Sequence, residues 1–209
     1  MACCAAADDF FSTTHAKRDL SWYRRFGPLP TARKILHALG EVQDRTFIDV
    51  GAGIGAVTHG VLLLDAKHVT VVDASHAYLQ TLLEEARRQG YTERINTYHG
   101  DFAEIAPALP KADVITMDRV VCCYGNVTGL LNQACTRATW RICLSFPRRA
   151  WWSQAAIWSF NLIQRVRQHA FRVYYHAPEY IDQCLVDNGF VPVKSDKSIL
   201  WSVRLYERR

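Results

Sequence analysis

The sequence contains no Cys-x-x-Cys pair, no low-complexity tract and no internal repeat. The first absence removes zinc knuckles and thioredoxin-like dithiols. The other two leave 209 residues that fit one ordinary globular unit with a substantial core. No apolar run approaches the ~18 residues needed to span a bilayer. Met1 to Asp9 lack the basic start and long apolar stretch of a secretory signal, so a cytoplasmic location is expected. Charge imbalance is also slight: 25 basic and 20 acidic residues give +5, too little to name an anionic partner. Seven cysteines is an odd number, with adjacent pairs at Cys3-Cys4 and Cys122-Cys123. In a chain with 49% apolar residues they read as reduced thiols rather than a disulfide framework, and no metal constellation is expected.

Three parts are visible in what remains. Residues 1–44 read as a helical N-terminal arm, basic at Lys17-Arg18 and Arg24-Arg25 and broken at Gly27–Pro30. Thr31 is the expected cap of the next helix, which carries Ile35, Leu36 and Leu39 on one face. Residues 45–209 form the second unit, and strand-like runs at 47–50, 69–72, 95–98, 114–117 and 142–146 open it. Helical segments at about 56–65, 76–89 and 127–138 alternate with them, which predicts a mostly parallel sheet with helices on both faces. A helix at about 151–168, an extended segment Phe171–Pro178 and a helix at about 178–188 follow. Runs at about 190–194 and 199–206, joined by Ser195–Ser198, predict a closing antiparallel hairpin and seven strands in all.

The most informative stretch is Thr46-Phe-Ile-Asp-Val-Gly-Ala-Gly-Ile-Gly55. A buried strand runs into a side-chain-free turn that opens a helix, a nucleotide-binding signature of Rossmann-like folds. Asp49 decides which nucleotide. A carboxylate there repels a pyrophosphate, whereas the ammonium and sulfonium of S-adenosylmethionine suit it. At an effective dielectric of about 20, such a pair at ~4 Å is worth roughly 4 kcal/mol before desolvation. Asp73 ends the next strand 22 residues after Gly51 and is placed to accept from ribose hydroxyls. Asp101 and Phe102 follow the third strand, suited to an adenine amino group and ring face. Asp118 ends the fourth strand at the same sheet edge.

Taken in order, Asp49-Val-Gly51-Ala52-Gly53, Asp73-Ala74, Gly100-Asp101-Phe102 and Asp118-Arg119-Val120 resemble the successive motifs of class I S-adenosylmethionine-dependent methyltransferases. The resemblance covers about residues 45–208 and implies that these residues bind the cofactor. Met117-Asp-Arg-Val-Val-Cys-Cys-Tyr124, with the aromatic basic arm, is similar to the magnesium-protoporphyrin O-methyltransferase branch. Tyr124-Gly125-Asn126 lacks the proline expected after the tyrosine there, so the acceptor is not carried over.

Methyl transfer is an in-line displacement that asks the protein mainly for binding and alignment. The candidate catalytic residues are Tyr124, His176 and Tyr23, and no base is unmistakable. That favours a carboxylate or thiol acceptor, with Arg119, Arg172 or Arg24 available for an anion. Trp151, Ala155, Trp158, Leu162 and Val166 form one helical stripe. It is expected in the core, or as a wall of an apolar acceptor site, or on a membrane surface beside Arg148, Arg149, Arg165 and Arg167. The Asn/Asp-Pro-Pro-aromatic run of many nucleic-acid methyltransferases is absent, so a small-molecule acceptor is expected and nucleic acid is not. Porphyrin-type carboxylates, small thiols and, less readily, RNA remain the alternatives.

Overall fold

Seven strands alternate with helices in the computed structural model, which describes residues 2–209 and side chains from residue 6 onward; Cys3 and Cys4 lie outside the residues so described. The strands are β1 (Thr46–Val50), β2 (His68–Asp73), β3 (Ile95–His99), β4 (Ala112–Met117), β5 (Ala138–Pro147), β6 (Phe190–Lys197) and β7 (Trp201–Arg208). They form one sheet in the order β3-β2-β1-β4-β5-β7-β6. β1 to β5 pair in parallel, and β7 runs antiparallel to both of its neighbours. The helices are α1 (Ala2–Phe10), α2 (Thr13–Phe26), α3 (Pro30–Leu39), α4 (Ala56–Leu63), α5 (His76–Gln89), α6 (Phe102–Ile105), α7 (Val127–Arg137), α8 (Trp151–Val166) and α9 (Pro178–Asp187). This is the α/β, Rossmann-like architecture that the alternation implies.

The period of two along each strand explains why both faces are covered. Ile48, Val50, Ile115, Met117, Ile142 and Leu144 meet Leu130, Leu131, Ile181 and Leu185 from α7 and α9. Phe47, Val69, Val71, Val114 and Cys143 meet Ile35, Leu39, Val61 and Leu82 from α3, α4 and α5 on the other face. Strand order reverses at β1, which has β2 on one side and β4 on the other. A crevice therefore opens past the carboxyl ends of those strands.

Three local expectations are corrected. Thr31 is not a cap: Pro30 starts α3, and the Thr31 hydroxyl instead donates to Asp118 Oδ2 at 3.0 Å. β6 continues through Ser195–Lys197, residues read as part of a connector because their side chains are polar. Those residues pair with β7 on one side only, and such an edge strand needs no apolar face. The tryptophan stripe of α8 faces outward. Trp151, Trp158, Leu162 and Val166 are exposed, while Ser153 and Gln164 are the buried residues. Periodicity locates a stripe but does not say which side of the helix meets the protein.

Candidate active site

The glycine turn after β1 is closed by its own protein. Gly51 N donates to Val72 O at 2.7 Å, Gly53 N to Asp73 Oδ2 at 2.8 Å and Gly55 N to Ala52 O at 2.9 Å. Gly51 has φ of +59°, and a Cβ there would lie 2.4 Å from Val120 Cγ2, so only glycine fits. With these amides engaged, the turn does not present the open cluster of N–H groups that cradles a pyrophosphate.

Carboxylates take over at the strand ends. Asp49 is buried and accepts hydroxyl hydrogen bonds from Thr58 (2.6 Å) and Thr116 (2.7 Å). Burial, only partly offset by those two hydroxyls, pushes its pKa up to about 6, and nearby Asp118 adds to the rise. A cation arriving beside Asp49 would relieve that strain. Asp73 accepts from Gly53 N and Ser75 N, both at 2.8 Å, which fixes its rotamer, and burial raises its pKa. Asp118 accepts from Ser145 Oγ at 2.7 Å and lies 3.8 Å from Arg119 Nε. Arg119 occupies left-handed backbone at φ of 62°, held there as its amide donates to the same Ser145 Oγ.

These residues line a cavity of about 710 Å³. Asp49, Gly51, Ala52 and Gly53 form its floor with Asp73, Ala74 and Phe102, and Asp118, Arg119 and Val120 form one side. The arm roofs it with Phe10, Phe11, Asp19, Trp22 and Tyr23, and α8 contributes Ser153, Ala156, Ile157 and Phe160. The arm is latched to α5: Tyr78 Oη donates to Asp19 at 2.6 Å, Ser75 Oγ to Phe11 O at 2.8 Å and Arg24 Nε to Glu85 at 2.8 Å. Phe10 stacks on Phe171 with centroids 4.8 Å apart, which joins the arm to the segment before α9.

Of the expected site residues, Asp101 and His176 do not line the cavity. Asp101 caps α6 through Ala103 N (2.9 Å) and accepts from Tyr124 Oη at 2.8 Å. His176 Nε2 lies 2.8 Å from the Tyr124 carbonyl oxygen, so its ring props the loop after β4 instead of facing an acceptor. Tyr124 and Tyr23 do reach the cavity, but neither is set up as a base. Tyr124 Oη is engaged as the donor of a hydrogen bond to Asp101. Burial first, then Glu85, raises the pKa of Tyr23. Among the arginines expected for an anion, Arg24 is paired with Glu84 and Glu85, and Arg172 donates to the His169 and Phe171 carbonyls. Arg119 reaches the cavity, joined by Arg18. Cys123 also lines it. Its contact with Cys122, then burial, holds the thiol well above the ordinary range and therefore protonated. Sequence reasoning missed Asp19, Trp22, Phe10 and Phe160, whose roles depend on how the arm and α8 dock.

Residues 47–140 match the family model described as a methyltransferase domain. The fold matches the crystal structure of magnesium protoporphyrin IX methyltransferase from Synechocystis PCC 6803 with bound SAH, at a TM-score of 0.77 and 18% identity. That match covers 99% of this chain and 100% of the other. Residues 47–140 thus carry a methyltransferase domain, on a fold shared with S-adenosylmethionine-dependent methyltransferases. An O-methyltransferase family protein from Burkholderia thailandensis matches it at a TM-score of 0.75 and 13% identity, over 98% of this chain and 61% of that one. Among curated relatives, ribosomal RNA small subunit methyltransferase A of Paracoccus denitrificans is 32% identical over 132 residues, 60% of this chain and 45% of the relative. The chain thus spans less than half the length of that relative. The engaged turn and the strained Asp49 fit the domain's cationic methyl donor.

Proposed function

We propose that the protein transfers a methyl group from S-adenosylmethionine to a small, apolar acceptor that carries an anionic oxygen or sulfur. The observation that carries this reading is the cavity beside the cofactor residues: its roof and far wall are aromatic, and Arg119 and Arg18 are the cations that reach it. When bound, the cofactor supplies the methyl group at its sulfonium. The protein's own work is to hold Asp49 toward the ammonium, Asp73 toward the ribose hydroxyls and Phe102 against the adenine. Asp118, Arg119 and Val120 then flank the reacting end, and α1 with α2 closes over it as a lid and excludes water.

An acceptor that is already ionised needs no proton removed, which suits a cavity where burial holds Tyr23 protonated and the Cys122 contact, then burial, does the same for Cys123. A carboxylate on a porphyrin-sized ring is the first specific candidate. It is supported by the full-length match to the protoporphyrin enzyme's fold, which extends through the arm. A small thiol is the second. The ribosomal RNA methyltransferases among the relatives keep RNA as a third class, to be tested directly.

A screen for transfer of a radiolabelled methyl group across porphyrins, thiols, phenols and tRNA decides among these. Label in a porphyrin carboxylate or a small thiol supports the reading, and label in tRNA alone overturns it. Calorimetry checks the donor: S-adenosylmethionine and S-adenosylhomocysteine bind and NADH does not.

A further inference from the structure

Helix α8 has two faces with different tasks. Ser153, Ala156, Ile157 and Phe160 line the cavity, and the opposite stripe points to solvent. Trp151 is 76% exposed and Trp158 66%, an unusual state for the largest apolar side chains. Leu162, Ile163 and Val166 extend the same exposed surface along the helix.

The turn between β6 and β7 enlarges it. Ile199 is 79% exposed and Leu200 is exposed beside it. This turn is fixed to the start of α8: Trp152 Nε1 donates to Ile199 O at 3.1 Å, and Arg148 N to Leu200 O at 3.0 Å. The two apolar edges therefore move as one body.

Charge on the helix itself has one sign. The helix carries a single charged residue, Arg165, and no acid. Arg167 follows it, and Arg148 and Arg149 precede the helix. Arg149 is paired with Glu179, but Arg165 and Arg167 make no ion pair among the described residues. Arg148 lies over the Trp152 ring, 5.7 Å from its centroid. Exposed tryptophans bordered by arginines, with no acid on the helix, complement an interface of apolar chains beneath anionic headgroups.

We propose that α8 and the β6–β7 turn dock the protein on an anionic lipid bilayer, with Trp151, Trp158 and Ile199 in the interface and Arg165 and Arg167 against the headgroups. The cavity wall then lies one helix diameter, about 10 Å, from the lipid. The surface is suited to receive an apolar acceptor that resides in the membrane. This last step rests on the proposed methyl transfer; the docking itself does not.

Flotation of the full chain with phosphatidylcholine vesicles, with and without 30% phosphatidylglycerol, tests the proposal (roughly one anionic lipid in three gives a strongly negative surface). The protein floats with the anionic vesicles, and its tryptophan emission shifts to the blue. Trp151→Ala/Trp158→Ala loses binding by about tenfold or more, and Arg165→Gln/Arg167→Gln by roughly tenfold, with salt weakening the wild type. Both variants bind S-adenosylmethionine like the wild type, which separates failed docking from a failed fold or a failed cofactor site. Absence of flotation, or flotation unchanged in both variants, overturns the proposal. So does light scattering that shows a wild-type dimer converted to monomer by the tryptophan substitutions, which would assign the surface to a second copy of the chain.

Discussion

Asp49 and Asp73, the acids proposed to hold the cofactor, rest on different balances. Asp73 is pinned by two backbone amides, so its remaining lone pairs point in a fixed direction. Asp73→Ala removes hydrogen bonds to a charged acceptor, worth about 1.5–3 kcal/mol. S-adenosylmethionine affinity measured by calorimetry should fall roughly 10- to 100-fold. Asp49 is destabilised by burial, and its folded pKa of about 6 exceeds its unfolded value. Its neutral form favours folding below pH ~4, and that contribution is lost as pH rises toward 6. His59 opposes it, because burial lowers its folded pKa to about 4, so stability from His59 is lost as pH falls from 6.5 toward 4. Asp49→Asn leaves His59 unopposed, and thermal unfolding of the ligand-free protein should become steeper with acid between pH 6 and 4. In the wild type, cofactor binding below pH 6 should release a proton, seen as a dependence of binding heat on buffer ionisation enthalpy.

The acids at the ends of β1, β2 and β4 are legible because a strand's apolar run stops visibly at a carboxylate. Their partners are not. Thr116 and Thr31 reach Asp49 and Asp118 across 67 and 87 residues of chain, and nothing local marks a threonine as the one that will arrive. His176 misleads for a related reason: a histidine in an extended segment gives no sign of whether its ring meets a cavity or a carbonyl.

Among the elements, α2 lines the cavity with Asp19, Trp22 and Tyr23. It is held to α5 through Glu85, whose side chain is fully buried between Arg24 and Arg88. Burial raises the pKa of Glu85, but hydrogen bonds from Arg88, Arg24 and Gln89 outweigh it and leave the value at about 2. Glu85→Ala should lower stability by about 2 kcal/mol, since both arginines regain water on release. For a chain of this size that is a fall of roughly 4–8 °C in Tm. Trypsin should then cut the arm near Arg24 and Arg25 sooner than in the wild type, and added S-adenosylmethionine should slow the cut. Legibility also fails selectively at this scale. The boundaries of α5 and β4 follow from pattern, whereas the outward turn of α8 depends on which of its sides meets the rest of the protein, which periodicity does not give.

For the whole molecule, the strand-end acids and the N-terminal helices line one cavity, so binding there and global stability are coupled. S-adenosylmethionine at about 100 times its Kd should stabilise the fold by ~2.7 kcal/mol and raise Tm by roughly 5–10 °C. The shift should vanish with Asp73→Ala at the same concentration. No helix among the described residues is long and apolar enough to cross a membrane.

The sheet order has a separate implication for biosynthesis. β7 follows β6 in the chain yet lies inside it, between β5 and β6. β6 therefore has no place in the sheet until β7 has been made. During translation, the free edge of β5, from Arg141 to Pro147, waits for the last strand. That edge is where a nascent chain would pair wrongly, and where a chaperone would be of most use.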